Sequence, residues 1–518
     1  MDTCSILNDV LGPVMRGPSS SHTAASFRIG TLARALLGDD PASATVTFDP
    51  SGSFGQVYSE QRSDLAIAAG LMGWTITDER FPRALDLAAA QGLQITFAIE
   101  PLANADHPNS VLIQLASRGG QTLSLTAKSI GGGAVSLSEM DGWPVRQAGD
   151  AHEVLVIADH ATVPATNELL GQDGQLMEPP RTQMQGGQTL IHAHRRTALA
   201  NDVLERIQAL PGVQRIRTTP PVLYIQHGEP LFSSAGQMTS LAAERGCSLG
   251  QIALAYEATL LGLPESAILA ETIHRLEVMR TAVHRGLGDE LPRMQLLQPS
   301  ARQIYRAEAE GHLPIGGLHT RAAARAMAVM HVNSSSGVVC AAPTAGSAGT
   351  LPGVVVTLAE EKHLPQDTIA LSLLAASAVG LVVALRATFA AEVAGCQVEI
   401  GAAGAMGAAA VVEAAGGTAR QACDAAAVAF QNTMGSVCDL VQGFVEIPCH
   451  TRNATAASSA FVCADLILGG YVNPIPLDET IDAVYAVGKM LPRELKVTAL
   501  GGLAMTPSAR AMPRIGDK

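Results

Sequence analysis

Helical periodicity that runs almost unbroken from about residue 235 toward the C-terminal end is the feature that most restricts this chain. MTSLAAERG, SLGQIALAYEATLLG, ESAILAETIHRLEVMRTAVHRGLG and ARQIYRAEAE follow one another as helical patterns. After residue 313 alanine and glycine dominate, so these helices must pack with backbone close to backbone. The whole composition makes the same demand. Of 518 residues 47% are apolar but only 3% aromatic, so the core is filled by small aliphatic side chains. No fixed-length repeat is present, which argues against a solenoid. The run IALSLLAASAVGLVVAL at 369–385 is uncharged over 17 residues. That length is marginal for a membrane span, and among so many similar helices it reads as a buried central helix.

The first 230 residues follow another pattern. In 1–150, SATVTFD (43–49), LQITFAI (93–99), SVLIQLAS (110–117) and TLSLTAKSI (122–130) read as strands. Helices are predicted at about 23–37, 60–73 and 82–91. The GGG at 131–133 breaks the last strand or admits a close backbone neighbour. In 151–229, HEVLVIAD, QTLIHAH and VQRIRTTPP read as strands, VPATNELLG and TALANDVLERIQAL as helices, with MEPPRTQMQGG intervening. The fold class expected is therefore α+β multidomain: an N-terminal α/β domain over 1–150, a small α/β module over 151–229, and a large all-helical domain over 235–505.

Charge and cysteine usage narrow the partners. The net charge of −13 and the lack of a basic cluster speak against a nucleic-acid groove. MDTCSILNDV lacks the basic-then-apolar form of a signal peptide. A cytoplasmic protein without membrane or nucleic-acid partners is expected, and its eight cysteines do not read as a disulfide framework.

Three segments could carry chemistry. GPSSSHTAA at 17–25 gathers Ser19, Ser20, Ser21, His22 and Thr23 at the start of a predicted helix. Amides and hydroxyls converging there suit a carboxylate or phosphate; the alternative is a plain N-cap. Cys396, Cys438 and Cys449 match neither a zinc-finger spacing nor C-x-x-C. Three cysteines without a convincing fourth suit an iron–sulfur cluster with one open iron, or are simply buried core thiols. Glu399, Asp439, Gln442, His450, Arg452 and Asn453 surround them. Arg452 is a candidate for a two-pronged carboxylate contact, or pairs with Asp439 or Glu446. SSSGVVCAAPTAGSAGTLPG at 334–353 lacks a phosphate-loop ending, but Thr344 and Ser347 could cradle a small anion; a tight helix crossing is the alternative, with Cys340 in the core. His107 in the HPNS turn and His284–Arg285–Gly286 at a helix end read as structural. Pyridoxal phosphate is not expected. Of the lysines at 128, 362, 489, 496 and 518, none has a convincing cofactor setting.

Taken together, GPSSSHTAASFRIG, the HPN segment, KSIGGG, AAPTAGSAGTLPG, CQVEIGAAGAMGAA, CDLVQGFVEIPCHTRNA and GGLA (501–504) resemble the iron–sulfur-dependent L-serine dehydratases (L-serine ammonia-lyases), in that family's order. The resemblance covers roughly 1–135 as a beta-type domain and 235–505 as an alpha-type catalytic domain. It implies a 4Fe–4S cluster on Cys396, Cys438 and Cys449, whose unique iron is a Lewis acid in converting L-serine to pyruvate and ammonia. It implies a place in amino-acid degradation and gluconeogenesis. It sets the serine run opposite the cluster, with His22, Ser20, Ser21, Thr23 and Arg452 as catalytic candidates. Ser19, Asp64, His107, Asn109, Thr344, Gly346, Ser347 and Asn453 become candidates for substrate binding. A homodimer is expected.

The sequence departs from the family pattern in three places. SEQRSD (59–64) keeps Asp64 but has Gln61 where a histidine stands in a Gly-His-Gly-Thr-Asp-like segment. The end, TPSARAMPRIGDK, has no cysteine to serve as a displaceable fourth ligand. The 151–229 module resembles part of an ACT-type regulatory domain, with a spacer or dimerisation role as the alternative. Other readings are the same chemistry on another small β-hydroxy amino acid or hydroxy acid, a non-catalytic cluster-bearing sensor, or a helical protein with inert thiols.

Overall fold

The computed structural model describes residues 3–103, 105–289 and 293–514. Met1 and Lys518, which the sequence reading touches, lie outside them. The architecture is a mixed α/β N-terminal region followed by a large helical region.

The first strand, β1 (Val14–Arg16), is not part of the N-terminal sheet. That sheet is built from β2 (Pro41–Phe48), β3 (Gln94–Ile99), β4 (Ser110–Ser117), β5 (Thr122–Gly131), β6 (Ala134–Met140) and β7 (Trp143–Gln147), in spatial order 3-2-4-5-6-7. Only the β2–β3 pair is parallel. β5 shows why one face packs: Leu123, Leu125 and Ala127 alternate inward and join Ile29, Leu32 and Leu36 of the Ala25–Leu37 helix in one core. The sequence reading missed β6 and β7, whose short segments are interrupted by polar residues and a turn.

The next unit has β8 (His152–Asp159), β9 (Arg181–Gln185), β10 (Gln188–Arg195) and β11 (Val213–Thr219) in order 11-8-10-9, with helices Val163–Gly171 and Asn201–Gln208. The chain path is β–α–β–β–α–β, one strand more than the sequence indicated. The missed strand, RTQMQ, is a polar edge strand with little apolar alternation to betray it. Val154, Val156 and Ala158 face the two helices. Leu155, Ile157 and Leu190 instead join the core of the N-terminal sheet.

In the helical region Gln366–Arg386 is central. It packs on Ile400–Ala414, Leu249–Leu261 and Glu265–Leu287. Among the described residues it is the one unbent helix long and apolar enough to cross a membrane, and 78% of its apolar window is buried inside the protein. Small residues set the spacing: a methyl added at Gly286 would lie 2.0 Å from the Ala328 carbonyl oxygen of the neighbouring helix.

The boundary at residue 150 conceals an exchange. Ile6, Leu7, Val10, Leu11 and Met15 belong to the helical core. β1 pairs antiparallel with β12 (Val338–Cys340). The buried Glu257 carboxylate accepts hydrogen bonds from the Ser5 hydroxyl at 2.5 Å and from the Ile6 and Leu7 amides at 2.8 and 2.9 Å. The first residues thus pack with the helical region because their apolar side chains complete its core.

Candidate metal centre and active site

The serine run adopts a wide, π-type turn, Ser20–Ala24, leading into the Ala25–Leu37 helix. Ser19 caps it, accepting from the His22 amide at 3.2 Å. The Ser21 and Ser19 hydroxyls lie 3.0 and 3.3 Å from His22 Nδ1, and His22 Nε2 is 2.9 Å from the Ser53 hydroxyl. The ring is fully buried, and burial pushes it down to about 3, so it is neutral. Thr23 bonds the Gln61 carbonyl.

Ser19 and Ser21 face a narrow cavity. Its other walls include Cys396, Cys438, Cys449, Glu399, Glu392 and Gln61. Cys396 opens a short 3₁₀ turn, Cys438 is braced by backbone bonds to Leu495 and Val497, and Cys449 opens the Cys449–Leu468 helix. Elements far apart in sequence therefore converge on one point. All three thiols are free and at most 3% exposed. Ligand atoms of Cys396, Cys438 and Glu399 lie within 4.8 Å of one another.

The donor set fits a cationic centre. The hydrogen bond from Cys438 holds the Cys396 thiol below the usual range, assisted by Arg452. That same bond, with burial, pushes Cys438 well up. Burial and the Cys396 charge do likewise to Cys449. Three adjacent thiolates therefore need a metal-derived positive charge to coexist.

Other predicted residues support the walls. Asn453 accepts from the Gly349 and Thr350 amides and donates to the Gly346 and Cys449 carbonyls, tying the 344–350 segment to the third cysteine. Thr344 and Ser347 form a reciprocal cap. Gly346 lines the cavity beside Glu399, where a methyl would make an ordinary contact with Oε1 at 3.5 Å. Burial keeps Glu399 well above the usual carboxylate range. Arg452 lies behind Cys396, with Nη1 3.8 Å from Sγ, 2.8 Å from the Val437 carbonyl and 3.0 Å from Asp439, so it pairs with Asp439. Glu446 instead holds the amides of Gln295, Leu296 and Leu297. The GGLA segment closes over Asp439: the Leu503 amide donates to Oδ2 at 2.9 Å. Gly502, at φ +60°, admits a carboxylate that any side chain would strike.

Several candidates stand outside the cavity wall. Asn109 acts through Glu392, donating from Nδ2 to Oε1 at 2.6 Å, while His107 receives the Asn109 amide within its own turn. Asp64 accepts the Leu65 amide at the start of the Ser63–Leu71 helix, and burial pushes it up to about 6. Gln61 lines the cavity where the family pattern has histidine and donates to the Gly443 carbonyl at 3.3 Å. Ser20, between Ser19 and Ser21, is buried but does not line the wall.

The sequence reading missed Glu392 and Ser53. Glu392 is fully buried, lines the cavity, and is pushed up to about 7 by burial against the Asn109 hydrogen bond. Its signal was a single acid in the otherwise uncharged FAAEVAGC. Ser53 carries none, because only the fold brings it to His22.

A buried cavity walled by three thiols and two carboxylates, where an α/β region meets a helical one, defines a candidate metal centre. Residues 234–504 match the family model described as serine dehydratase alpha chain, and the chain belongs to that family. It is 36% identical over 284 residues to a probable L-serine dehydratase alpha chain of Bacillus subtilis, covering 55% of this chain and 95% of the relative. It is also 41% identical over 149 residues to the probable beta chain from that organism, 29% of this chain and 66% of the relative. To L-serine dehydratase 2 of Escherichia coli it is 32% identical over 286 residues, 53% of this chain and 61% of the relative.

Proposed function

We propose that this protein dehydrates and deaminates L-serine to pyruvate and ammonia in the cavity between the cysteines and the serine run. The observation that carries the reading is that Cys396, Cys438 and Cys449 meet Ser19, Ser21 and Glu392 across one buried space. Cys396, Cys438 and Cys449 would hold a 4Fe–4S cluster, which supplies a Lewis acid that makes hydroxide a better leaving group.

The chain's own residues do the rest. Ser19 and Ser21 offer hydroxyls to the substrate carboxylate. His22 keeps those hydroxyls aimed while staying neutral behind them. Glu392, held by Asn109, accepts the Cα proton; a carboxyl near pH 7 is matched to that work. A hydrogen bond from Thr344 steadies Glu399 beside the thiols. The wall itself excludes water.

The wider reading includes a cytoplasmic homodimer, with an N-terminal beta-type domain over 1–150 and a catalytic domain over 235–505. The 151–229 module serves as an ACT-like regulatory or dimerisation unit; its β–α–β–β–α–β path supports that role.

The test is anaerobic 2-oxo acid release from L-serine by protein whose iron and sulfide are counted in the same sample. Product with about four irons per chain, the content of the cluster proposed, supports the reading. A full cluster without product from serine rejects that substrate, and a screen of other β-hydroxy acids then separates a related dehydratase from a non-catalytic role. Glu392→Gln should retain iron and lower kcat by about 10²–10⁴-fold. An unchanged kcat removes Glu392 from the proton transfer.

A further inference from the structure

A second cluster of ligating side chains lies away from the cysteine cavity, on the sheet of the small module. Glu153 on β8 stands directly opposite His194 on β10 and opposite Thr219 on β11. His192 is two residues along β10, on the same face. Glu153 Oε2 lies 2.8 Å from His192 Nε2, and Oε1 lies 3.7 Å from His194 Nδ1. The two rings are 4.5 Å apart. One ligand atom from each of the three residues lies within 4.8 Å of the others.

An ordinary buried Glu–His hydrogen bond explains only part of this. Glu153 Oε1, His194 Nε2 and Thr219 Oγ1 are all buried without a hydrogen-bond partner among the described residues. Glu153 is only 1% exposed. Leaving a buried polar atom unmet is costly, so several on one small patch call for a common partner. Among the described residues no Lys or Arg pairs with Glu153; Arg181, opposite His192 on β9, is engaged by Glu178.

We propose that Glu153, His192 and His194 form a metal site that takes one first-row divalent cation of the zinc or cobalt type. Two imidazoles and one carboxylate suit such ions, and leave a position for water or the Thr219 hydroxyl. Tetrahedral ligands at zinc bond lengths lie about 3.3 Å apart, so a small side-chain contraction closes the site. Burial pushes Glu153 up to about 8 and His192 down to about 4. The site joins the start of β8, where the chain enters the module, to the end of β10. This inference does not depend on serine being the substrate.

The test is a CoCl₂ titration of the anaerobic, cluster-loaded protein followed by absorption. The expected result is one Co²⁺ per chain with ligand-field bands and no sulfur-to-cobalt charge transfer, which separates this site from any free thiols. The double variant His192→Gln/His194→Gln should bind at least about tenfold more weakly at unchanged cluster iron. His194→Gln alone removes a ring that makes no hydrogen bond, so it decides the matter if the double variant does not fold. Absence of the nitrogen–oxygen cobalt spectrum, or its persistence at full affinity in the folded variant, overturns the proposal.

Discussion

Each candidate side chain is defined by what it touches. Cys438 shares a hydrogen bond with Cys396, and replacing its sulfur leaves two thiols on a three-sided wall. Cys438→Ser should lose iron and turnover together, read by iron and sulfide analysis beside 2-oxo acid release. His22→Ala should keep iron yet lower kcat by about 10²-fold, because the Ser19 and Ser21 hydroxyls lose the ring that aims them. Asp64 gives a pH signature. Its carboxyl is raised to about 6 in the folded protein from 3.8, so the folded state holds its proton more tightly. The stability this contributes is full below about pH 4 and is lost as pH rises through about 6. Asp64→Asn should therefore stabilise at pH 7 by roughly 1 kcal/mol and change little at pH 4, measured by thermal melts at both values. The cysteines, the serine run and Gln61 were legible in the sequence because they sit in distinctive polar motifs. Ser53 was not, since a lone serine gains its partner only when residues 22 and 53 meet in space.

At the level of elements, small residues decide how helices approach. Gly286 lies against the Ala328 carbonyl, and the overpacking cost of about 1–3 kcal/mol exceeds the roughly 1 kcal/mol that alanine gains in a helix. Gly286→Ala should therefore destabilise. Gly236, in the Ala235–Arg245 helix, meets nothing closer than 3.7 Å, so Gly236→Ala should stabilise by up to about 1 kcal/mol. Chemical denaturation of the two variants side by side checks the contrast in sign. The long helices were readable from periodicity because their apolar positions recur over many turns. β9 was not, for an exposed edge strand rich in Gln and Arg buries too little to leave a pattern.

For the whole molecule, the linear order of domains hides a closed circuit. The sequence indicated three successive units but gave no sign that residues 6–15 complete the last one, because short apolar stretches do not name their partners. Glu257 fastens that return, and Glu257→Ala leaves the Ile6 and Leu7 amides without their acceptor. Amide hydrogen exchange at Ile6 and Leu7 should accelerate by at least about tenfold, with a stability loss of about 1–3 kcal/mol. In topological terms, everything between the β1 strand and the helical stretch is an insertion held at both ends. One tether is Met15 and its neighbours, paired into β12; the other is the chain leaving β11. A unit hung from a single linker can swivel, whereas one hung from two has lost most of that freedom before any ligand arrives. Ser19 lies just beyond the first tether, so the serine wall keeps its distance from the thiols as a property of how the chain is threaded.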